Sequence, residues 1–179
     1  LSAAIFHSWM DQTQVANNLP GGLPGVDLLI TNTGSARRYG AEIEASWAPV
    51  NGLSLHAGLG WLQTEFDRLV LNGVDRSGQA FPNAPEWNAS AGLDYRHSGG
   101  TFLSLGYAWA DQTYAWANAP QATRLGTRSL LHARLGWGKE RFSCYLFANN
   151  LLDDEYALYR QAAIPPVIPA AGKLGPPRT

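Results

Sequence analysis

A chain of 179 residues with a formal net charge of −1 and 15% charged residues has no bulk attraction for nucleic acid or for an anionic membrane surface. Its one cysteine, Cys144, excludes an internal disulfide framework and a cysteine-based zinc site. No apolar run approaches the ~18 residues of a transmembrane helix, and the start of the chain has no basic-then-apolar pattern of a signal peptide. The mean hydropathy of −0.18 fits a soluble protein or a transmembrane barrel, whose strands are only half apolar.

Taken in chain order, residues 1–10 are strand-like with their phase left open. Residues 39–47 alternate strictly: Tyr39, Ala41, Ile43, Ala45 and Trp47 on one side, Gly40, Glu42, Glu44 and Ser46 on the other. In 53–61, Leu53, Leu55, Ala57, Leu59 and Trp61 alternate with Ser54, His56, Gly58 and Gly60. In 87–95, Trp87, Ala89, Ala91, Leu93 and Tyr95 alternate with Asn88, Ser90, Gly92 and Asp94. The 101–109 run sets Leu103, Leu105, Tyr107 and Trp109 against Phe102, Ser104, Gly106 and Ala108. The 129–137 run sets Leu131, Ala133, Leu135 and Trp137 against Leu130, His132, Arg134 and Gly136. Side chains two apart share one face of a strand, so each run reads as a half-apolar antiparallel strand. Residues 142–151 are strand-like, again with open phase.

The connections alternate in length. Tight turns are expected at 49–52, 97–100 and 138–140, and long loops at 11–38, 67–85 and 111–128, where Gly, Pro, Asn and Asp are dense. An up-and-down meander with short turns at one end and long loops at the other is the pattern of an outer-membrane barrel.

The aromatics sharpen this reading. Tyr39 and Trp47 stand eight residues apart in one phase, and Trp87 and Tyr95 repeat the spacing. A tilted membrane-crossing strand needs ~9–11 residues, and Tyr and Trp favour the two headgroup levels. The strand directions place Tyr39, Trp61, Trp87 and Trp109 at the long-loop end, and Trp47, Tyr95 and Trp137 at the short-turn end. The polar phase, with Glu42, Glu44, His56, Asp94, His132 and Arg134, then faces a hydrated lumen. The competing fold is a soluble β-sandwich or lipocalin-like barrel with these aromatics in its core.

NTGSARRYGAEIEASW, Asp11-Gln12-Thr13-Gln14, Ala84-Pro85, NNLLDDEY and GPPR, in their order along the chain, together resemble the C-terminal half of a TonB-dependent outer-membrane receptor. NTGSARRYGAEIEASW is similar to the family's Asn-x-Gly followed by Gly-x-Glu-x-Glu, through Asn32, Gly34, Gly40, Glu42 and Glu44. Asp11-Gln12-Thr13-Gln14 resembles the Asp-x-Gln that ends the preceding strand, and Ala84-Pro85 the Ala-Pro that opens another. NNLLDDEY resembles Asn-Leu-Phe-Asp-x-x-Tyr through Asn150, Leu151, Asp153 and Tyr156, with Leu152 in place of Phe. GPPR resembles the Gly-x-Pro-Arg, here Gly175, Pro177 and Arg178, that opens the last strand. The resemblance implies an all-β, transmembrane, antiparallel up-and-down barrel. Residues 1–179 would supply about seven of its roughly 22 strands, without the plug domain or the last strand. A piece of this kind has two unpaired edges, and is not expected to fold alone as a heat-modifiable monomer.

The implied function is energy-dependent uptake of a scarce extracellular ligand, above all a ferric siderophore. The implied partners are outer-membrane lipid, the protein's own plug, the TonB complex and the small-molecule ligand; nucleic acid is not among them. The implied place is a bacterial outer membrane, and no resident cofactor or metal is expected. A passive porin or adhesin barrel is the alternative, and a soluble β-barrel enzyme using Glu42 and Glu44 the third reading. That pair has a spacing suited to two catalytic carboxylates, but such pairs sit on different elements across a substrate, so a hydrated wall is the expectation. The histidines lack ligand spacing. Asp153-Asp154-Glu155 lacks the alternating oxygens of a calcium loop and is expected to be solvated or capping. Ligand contacts are expected from the long loops, with Tyr114, Trp116, Arg124 and Arg128 as candidates. Residues 162–171 are expected to form an extracellular loop.

Overall fold

The computed structural model describes residues 1–22, 27–117, 119–163 and 169–179. Its strands are β1 (Ser2–Asn18), β2 (Leu28–Val50), β3 (Leu53–Arg68), β4 (Val70–Leu71), β5 (Val74–Asp75), β6 (Trp87–Arg96), β7 (Thr101–Ala110), β8 (Thr113–Tyr114), β9 (Arg124–Leu125), β10 (Arg128–Lys139), β11 (Phe142–Ala148), β12 (Ala157–Gln161) and β13 (Ala171–Leu174). No helix occurs among the described residues. Seven long strands form one antiparallel sheet in the order β1-β2-β3-β6-β7-β10-β11, with β1 and β11 at its edges. Three two-stranded hairpins, β4-β5, β8-β9 and β12-β13, stand in the connections. The sheet is an open wall in this chain.

Register fixes the two phases the sequence leaves open. Ile5 lies opposite Ala41 and Ala3 opposite Ile43, so Ala3, Ile5, His7 and Trp9 share the apolar face. Trp137 lies opposite Cys144 and Leu135 opposite Leu146, so Phe142, Cys144, Leu146 and Ala148 share it too. Tyr145 and Phe147 fall on the polar face.

The tight turns hold because two glycines supply left-handed backbone. Gly52 at φ +83° and Gly100 at φ +94° each stand so close to a carbonyl, of Arg96 and Gly138 respectively, that a Cβ would collide. The Arg96 amide donates to the Gly52 carbonyl at 2.7 Å and the Gly138 amide to the Gly100 carbonyl at 3.0 Å, which ties neighbouring turns together.

The long connections need correction. Most of 11–38 is strand, since β1 and β2 pair as far as Asn18 and Leu28, and β3 runs on to Arg68. Backbone ladders continue above the aromatics although alternation stops, because both faces there are mixed and the pairing needs no apolar phase. Asp11-Gln12-Thr13-Gln14 therefore does not end a strand. Gln12 takes φ 57° at a register shift between Asp11 and Thr13, a β-bulge in a strand that goes on. In the same way 67–85 contains β4-β5, and 111–128 contains β8-β9. The 142–151 strand ends at Ala148. Of the expected loop 162–171, residues 164–168 lie outside the described residues, and Ala171 already pairs with Gln161.

Buried apolar residues are few among those described: Val15, Ala36, Leu69, Ala115 and Leu125. All lie in the strand extensions or the loops. The apolar face below them is bare, with Ile5 90%, Trp47 65% and Leu135 53% exposed. Leaving such a side chain in water forfeits ~1.5–3 kcal/mol, and a domain has only ~5–15 kcal/mol in total. A face with this many uncovered side chains is not the inside of a soluble sandwich.

Candidate functional site

Cross-strand pairing arranges the polar face in rows. The first runs Glu42, Gly60, Asn88, Ala110, Arg128, and the next Glu44, Gly58, Ser90, Ala108, Leu130. A third runs Ser46, His56, Gly92, Gly106, His132, and a fourth Ser54, Asp94, Ser104, Arg134, Phe147. The last runs Arg96, Phe102, Gly136, Tyr145. Glu42 and Glu44 thus look across at glycines, and neither meets an acid/base partner. His56 lies over Gly92, with Nδ1 3.9 Å from Asp94 Oδ2. The Ser104 hydroxyl donates to Asp94 Oδ1, and His132 Nδ1 is 3.2 Å from Asn149 Oδ1. No group of three or more metal-ligating side chains occurs among the described residues.

Phe102, an exception in the polar phase, belongs to a cation–aromatic cluster. The Arg134 guanidinium sits 5.3 Å from the Phe102 ring centre and 4.0 Å from that of Tyr145. Arg96 sits 5.7 Å from Phe102. The bare backbone of Gly136 makes the room: a Cβ there would stand 2.5 Å from Phe102 Cζ. The sequence shows the residue types, but only the register brings four strands' side chains together.

On the apolar face the aromatics form two lines. His7 and Trp9 stack with ring centres 3.9 Å apart, and His7 meets Tyr39 at 5.8 Å. Tyr39 meets Trp61 at 5.7 Å, and Trp61 meets Trp87 at 6.2 Å. Trp109 is opposite Ala89 and Ser129, one pleat further from the long loops than Trp87, which is opposite Trp61. Tilted strands in a staggered register give such an offset. At the turn end Trp137 meets Phe142 at 6.2 Å and Tyr95 meets His97 at 6.5 Å. Trp137 Nε1 donates to the Gly99 carbonyl at 2.8 Å. Trp47, opposite Leu55, sits in a row next to that of Tyr95. His7, Trp9 and Phe142 were not legible as members while the phases of β1 and β11 were open.

The four loop candidates do not converge on one point. Tyr114 and Arg124 are paired in the β8-β9 hairpin. The Tyr114 hydroxyl donates to the Ala80 carbonyl, burial pushes its pKa up, and Arg124 donates to Gln112. Trp116 packs edge-on against Tyr159 of β12 at 6.4 Å. Arg128 lies 5.6 Å over the Tyr156 ring. Tyr156 and Tyr159 are thus the partners that sequence reasoning missed, since nothing local links 111–128 to 152–163. Of Asp153-Asp154-Glu155, expected to be solvated or capping, Asp154 caps, its Oδ2 accepting the Ser129 amide at 2.6 Å, while Asp153 lies 3.7 Å from Arg178. Asn150, buried at φ 50°, accepts the Asp154 amide at 3.1 Å and donates to the Asp154 and Pro176 carbonyls.

A family model described as TonB dependent receptor-like, beta-barrel matches residues 1–151. The chain belongs to the TonB-dependent receptor β-barrel family. Solved structures of this fold cover 98% of the chain. The ferric yersiniabactin uptake receptor FyuA from Yersinia pestis superposes with a TM-score of 0.78 at 22% identity over 25% of its length. The siderophore receptor PiuA from Acinetobacter baumannii gives 0.74 at 18% identity over 24%. The copper transporter OprC gives 0.72 at 15% identity over 28%. The chain therefore spans about a quarter of the length of the structures it matches.

Proposed function

We propose that this segment is part of the barrel wall of a receptor in a bacterial outer membrane that imports a scarce ligand, a ferric siderophore above all. The observation that carries the reading is the bare apolar face bounded by two aromatic lines, in a chain of this family. On this reading that face meets lipid, and the rows from Glu42 to Tyr145 line the lumen. Two of the named structural neighbours are a ferric yersiniabactin uptake receptor and a siderophore receptor, which favours iron, while the copper transporter marks metal delivery as the wider class. A plug domain filling the lumen and coupling to TonB would lie outside residues 1–179. Glu42 and Glu44 then serve as hydrated lumen wall without catalytic work. The expected ligand contacts are in the loops, at Trp116 with Tyr159 and at Tyr114, Arg124 and Arg128.

Deleting the gene in its host tests this. Radio-iron accumulation from ferric-siderophore medium under iron limitation should fall in the deletion strain, and should fall equally when TonB is inactivated in the parent. Unchanged accumulation in both would refute the iron reading. Diffusion of small solutes that needs no TonB would favour a passive porin instead.

A further inference from the structure

The chain contains the dipeptide Asn-Gly twice, at Asn51-Gly52 and at Asn72-Gly73. Asparagine before glycine is chemically reactive, because the unhindered glycine nitrogen can reach the side-chain amide carbon of the residue before it. The fold places the two copies in opposite circumstances. Asn51-Gly52 joins β2 and β3, strands of 23 and 16 residues. Gly52 stands against the Arg96 carbonyl so closely that no side chain fits, and its own carbonyl accepts the Arg96 amide at 2.7 Å. Turning the Gly52 nitrogen onto the Asn51 side chain would pull Gly52 away from Arg96.

Asn72-Gly73 is the loop of the β4-β5 hairpin, which has only two residue pairs, Val70 with Asp75 and Leu71 with Val74. Both loop residues are left-handed, at φ 51° and 76°, and both are exposed. A Cβ on Gly73 would meet nothing within 4 Å, so the peptide between them can rotate without disturbing any packing. A hairpin this short is marginal by itself and belongs to the segments that open at little cost. The Asn72 side chain, in contrast, is held and polarised: its Oδ1 accepts the Asn18 amide at 2.7 Å. A donor at that oxygen draws charge from Cγ and supports the oxyanion that forms when Cγ is attacked. The Asn72 amide donates to Asn17 Oδ1 at 2.6 Å, so the same residue ties the hairpin to the end of β1.

We propose that Asn72 is a self-modification site, at which the folded protein deamidates with age while Asn51 stays intact. The Gly73 nitrogen forms a bond to Asn72 Cγ, the Cγ–Nδ2 bond breaks, and Nδ2 leaves as ammonia with the proton that Gly73 gives up. Water then opens the cyclic imide, at Cγ to give aspartate or at the main-chain carbon to give isoaspartate. Nothing is oxidised or reduced, and water is the one co-reactant. Either product brings a negative charge into a hairpin that already holds Asp75. Isoaspartate also leads the main chain through Cβ, an added atom that a tight loop cannot take without releasing Asn17 and Asn18. The consequence is an age-dependent loosening of the β4-β5 hairpin from β1. The proposal is independent of the receptor reading.

The test uses the longer protein that carries this segment, assembled in outer membrane and incubated in mildly alkaline buffer, with samples taken over time for tryptic mass mapping. Cleavage after Arg68 and Arg76 isolates residues 69–76, in which Asn72 is the only asparagine, and Asn51 is the only asparagine of residues 39–68. Aspartate and isoaspartate at position 72 should accumulate at least about tenfold faster than at position 51, because a two-pair hairpin opens far more often than the end of a long ladder. In urea, where both dipeptides are unfolded, the two rates should converge. Asn17→Ala, which removes the acceptor of the Asn72 amide, should speed conversion at 72 by about fivefold, the scale of one hydrogen bond. Aged protein should show faster hydrogen exchange at Asn18, with β6 and β7 unchanged. Equal rates at 51 and 72 in the folded protein, a faster rate at 51, or an Asn72 that converts only in urea would overturn the site. A rate at 72 indifferent to Asn17→Ala, or exchange at Asn18 unchanged on ageing, would overturn the link to β1. Each of these results leaves the receptor reading to be decided by iron uptake.

Discussion

The sheet divides at the line His7, Tyr39, Trp61, Trp87. Below it β2, β3, β6, β7 and β10 alternate, the apolar phase is bare, and the polar phase is built mainly of Gly, Ser and charged residues. Above it β1, β2 and β3 continue as a ladder without alternation. Buried Val15, Ala36 and Leu69 lie in that upper zone, and Arg37 bridges Glu65 at 3.0 Å and Asp67 at 3.3 Å. The Glu65 hydrogen bond and both charges push the Arg37 pKa further up. On the receptor reading proposed above, one face of the lower zone meets an apolar medium, whereas in the upper zone local contacts decide the sequence.

The largest expected effect breaks this comparison at its strongest point. Ile43, mid-span on the apolar face, changed to Arg should destabilise the assembled protein by ~2–4 kcal/mol, the cost of a charge at the bilayer midplane. Glu44→Arg, one residue away on the polar face, should cost less than ~1 kcal/mol. Urea unfolding in phosphocholine vesicles, followed by tryptophan fluorescence, measures both. Equal costs would mean that the faces are assigned wrongly.

A second contrast stays within the polar face. Gly136→Ala sets a Cβ 2.5 Å from Phe102 Cζ and 2.6 Å from the Cys144 carbonyl oxygen. The backbone oxygen cannot swing aside, so a cost of ~1–3 kcal/mol is expected. Gly106→Ala meets nothing within 4 Å and should be neutral or stabilising by up to ~1 kcal/mol, through the entropy of the unfolded chain. The same unfolding assay ranks them. Reversal of the order would show that Phe102 does not sit over Gly136.

In the loops the expected effect is local. Thr123 is fully buried; its Oγ1 accepts the Trp116 amide at 3.1 Å and donates to the Ala119 carbonyl at 2.8 Å. Thr123→Val keeps the shape and strands the Trp116 amide, which should cost ~1–3 kcal/mol of loop order. Faster hydrogen exchange at Trp116, with unchanged exchange in β6 and β7, is the expected result. Exchange that is unaltered at Trp116 would remove Thr123 as the residue that positions this tryptophan.

How much could be read beforehand follows the same division. Residues 39–47, 53–61, 87–95, 101–109 and 129–137 are all found in strands with the alternation expected, because a half-apolar surface imprints period two. The extents of β1, β2 and β3 were not legible, since no periodic constraint acts above Tyr39. The phase of residues 1–10 could not be read because Phe6 and Met10 on one side compete with Ile5 and Trp9 on the other; only the register against Glu42 and Glu44 decides. At the candidate site the residue types were visible, but Arg96, Phe102, Arg134 and Tyr145 come from β6, β7, β10 and β11. Their meeting depends on non-local register, as does that of Trp116 with Tyr159.

The smallest expected effect concerns the β4-β5 hairpin of the upper zone, where pairing has little apolar support. Asp75 Oδ1 accepts the Ser77 hydroxyl at 2.7 Å and the Ser77 amide at 2.9 Å. These bonds, the hydroxyl first, hold its pKa below the ordinary carboxylate value. A depressed folded pKa means that the ionised form belongs to the ordered hairpin. The contribution is complete above the unfolded carboxylate range near pH ~4, and is lost as pH falls through the lower folded value. Ser77 Oγ also accepts the Leu69 amide at 3.1 Å, so protonating Asp75 should loosen the link back to the end of β3. Protection from hydrogen exchange at Ser77 and Leu69 should therefore be lost on acidification, and Asp75→Asn should show the loosened state at neutral pH with the pH dependence gone. The lower sheet, whose order rests on its ladder and its apolar face, should keep its protection through the same range. Acid sensitivity that spread equally to β6 and β7 would contradict the division between the two zones.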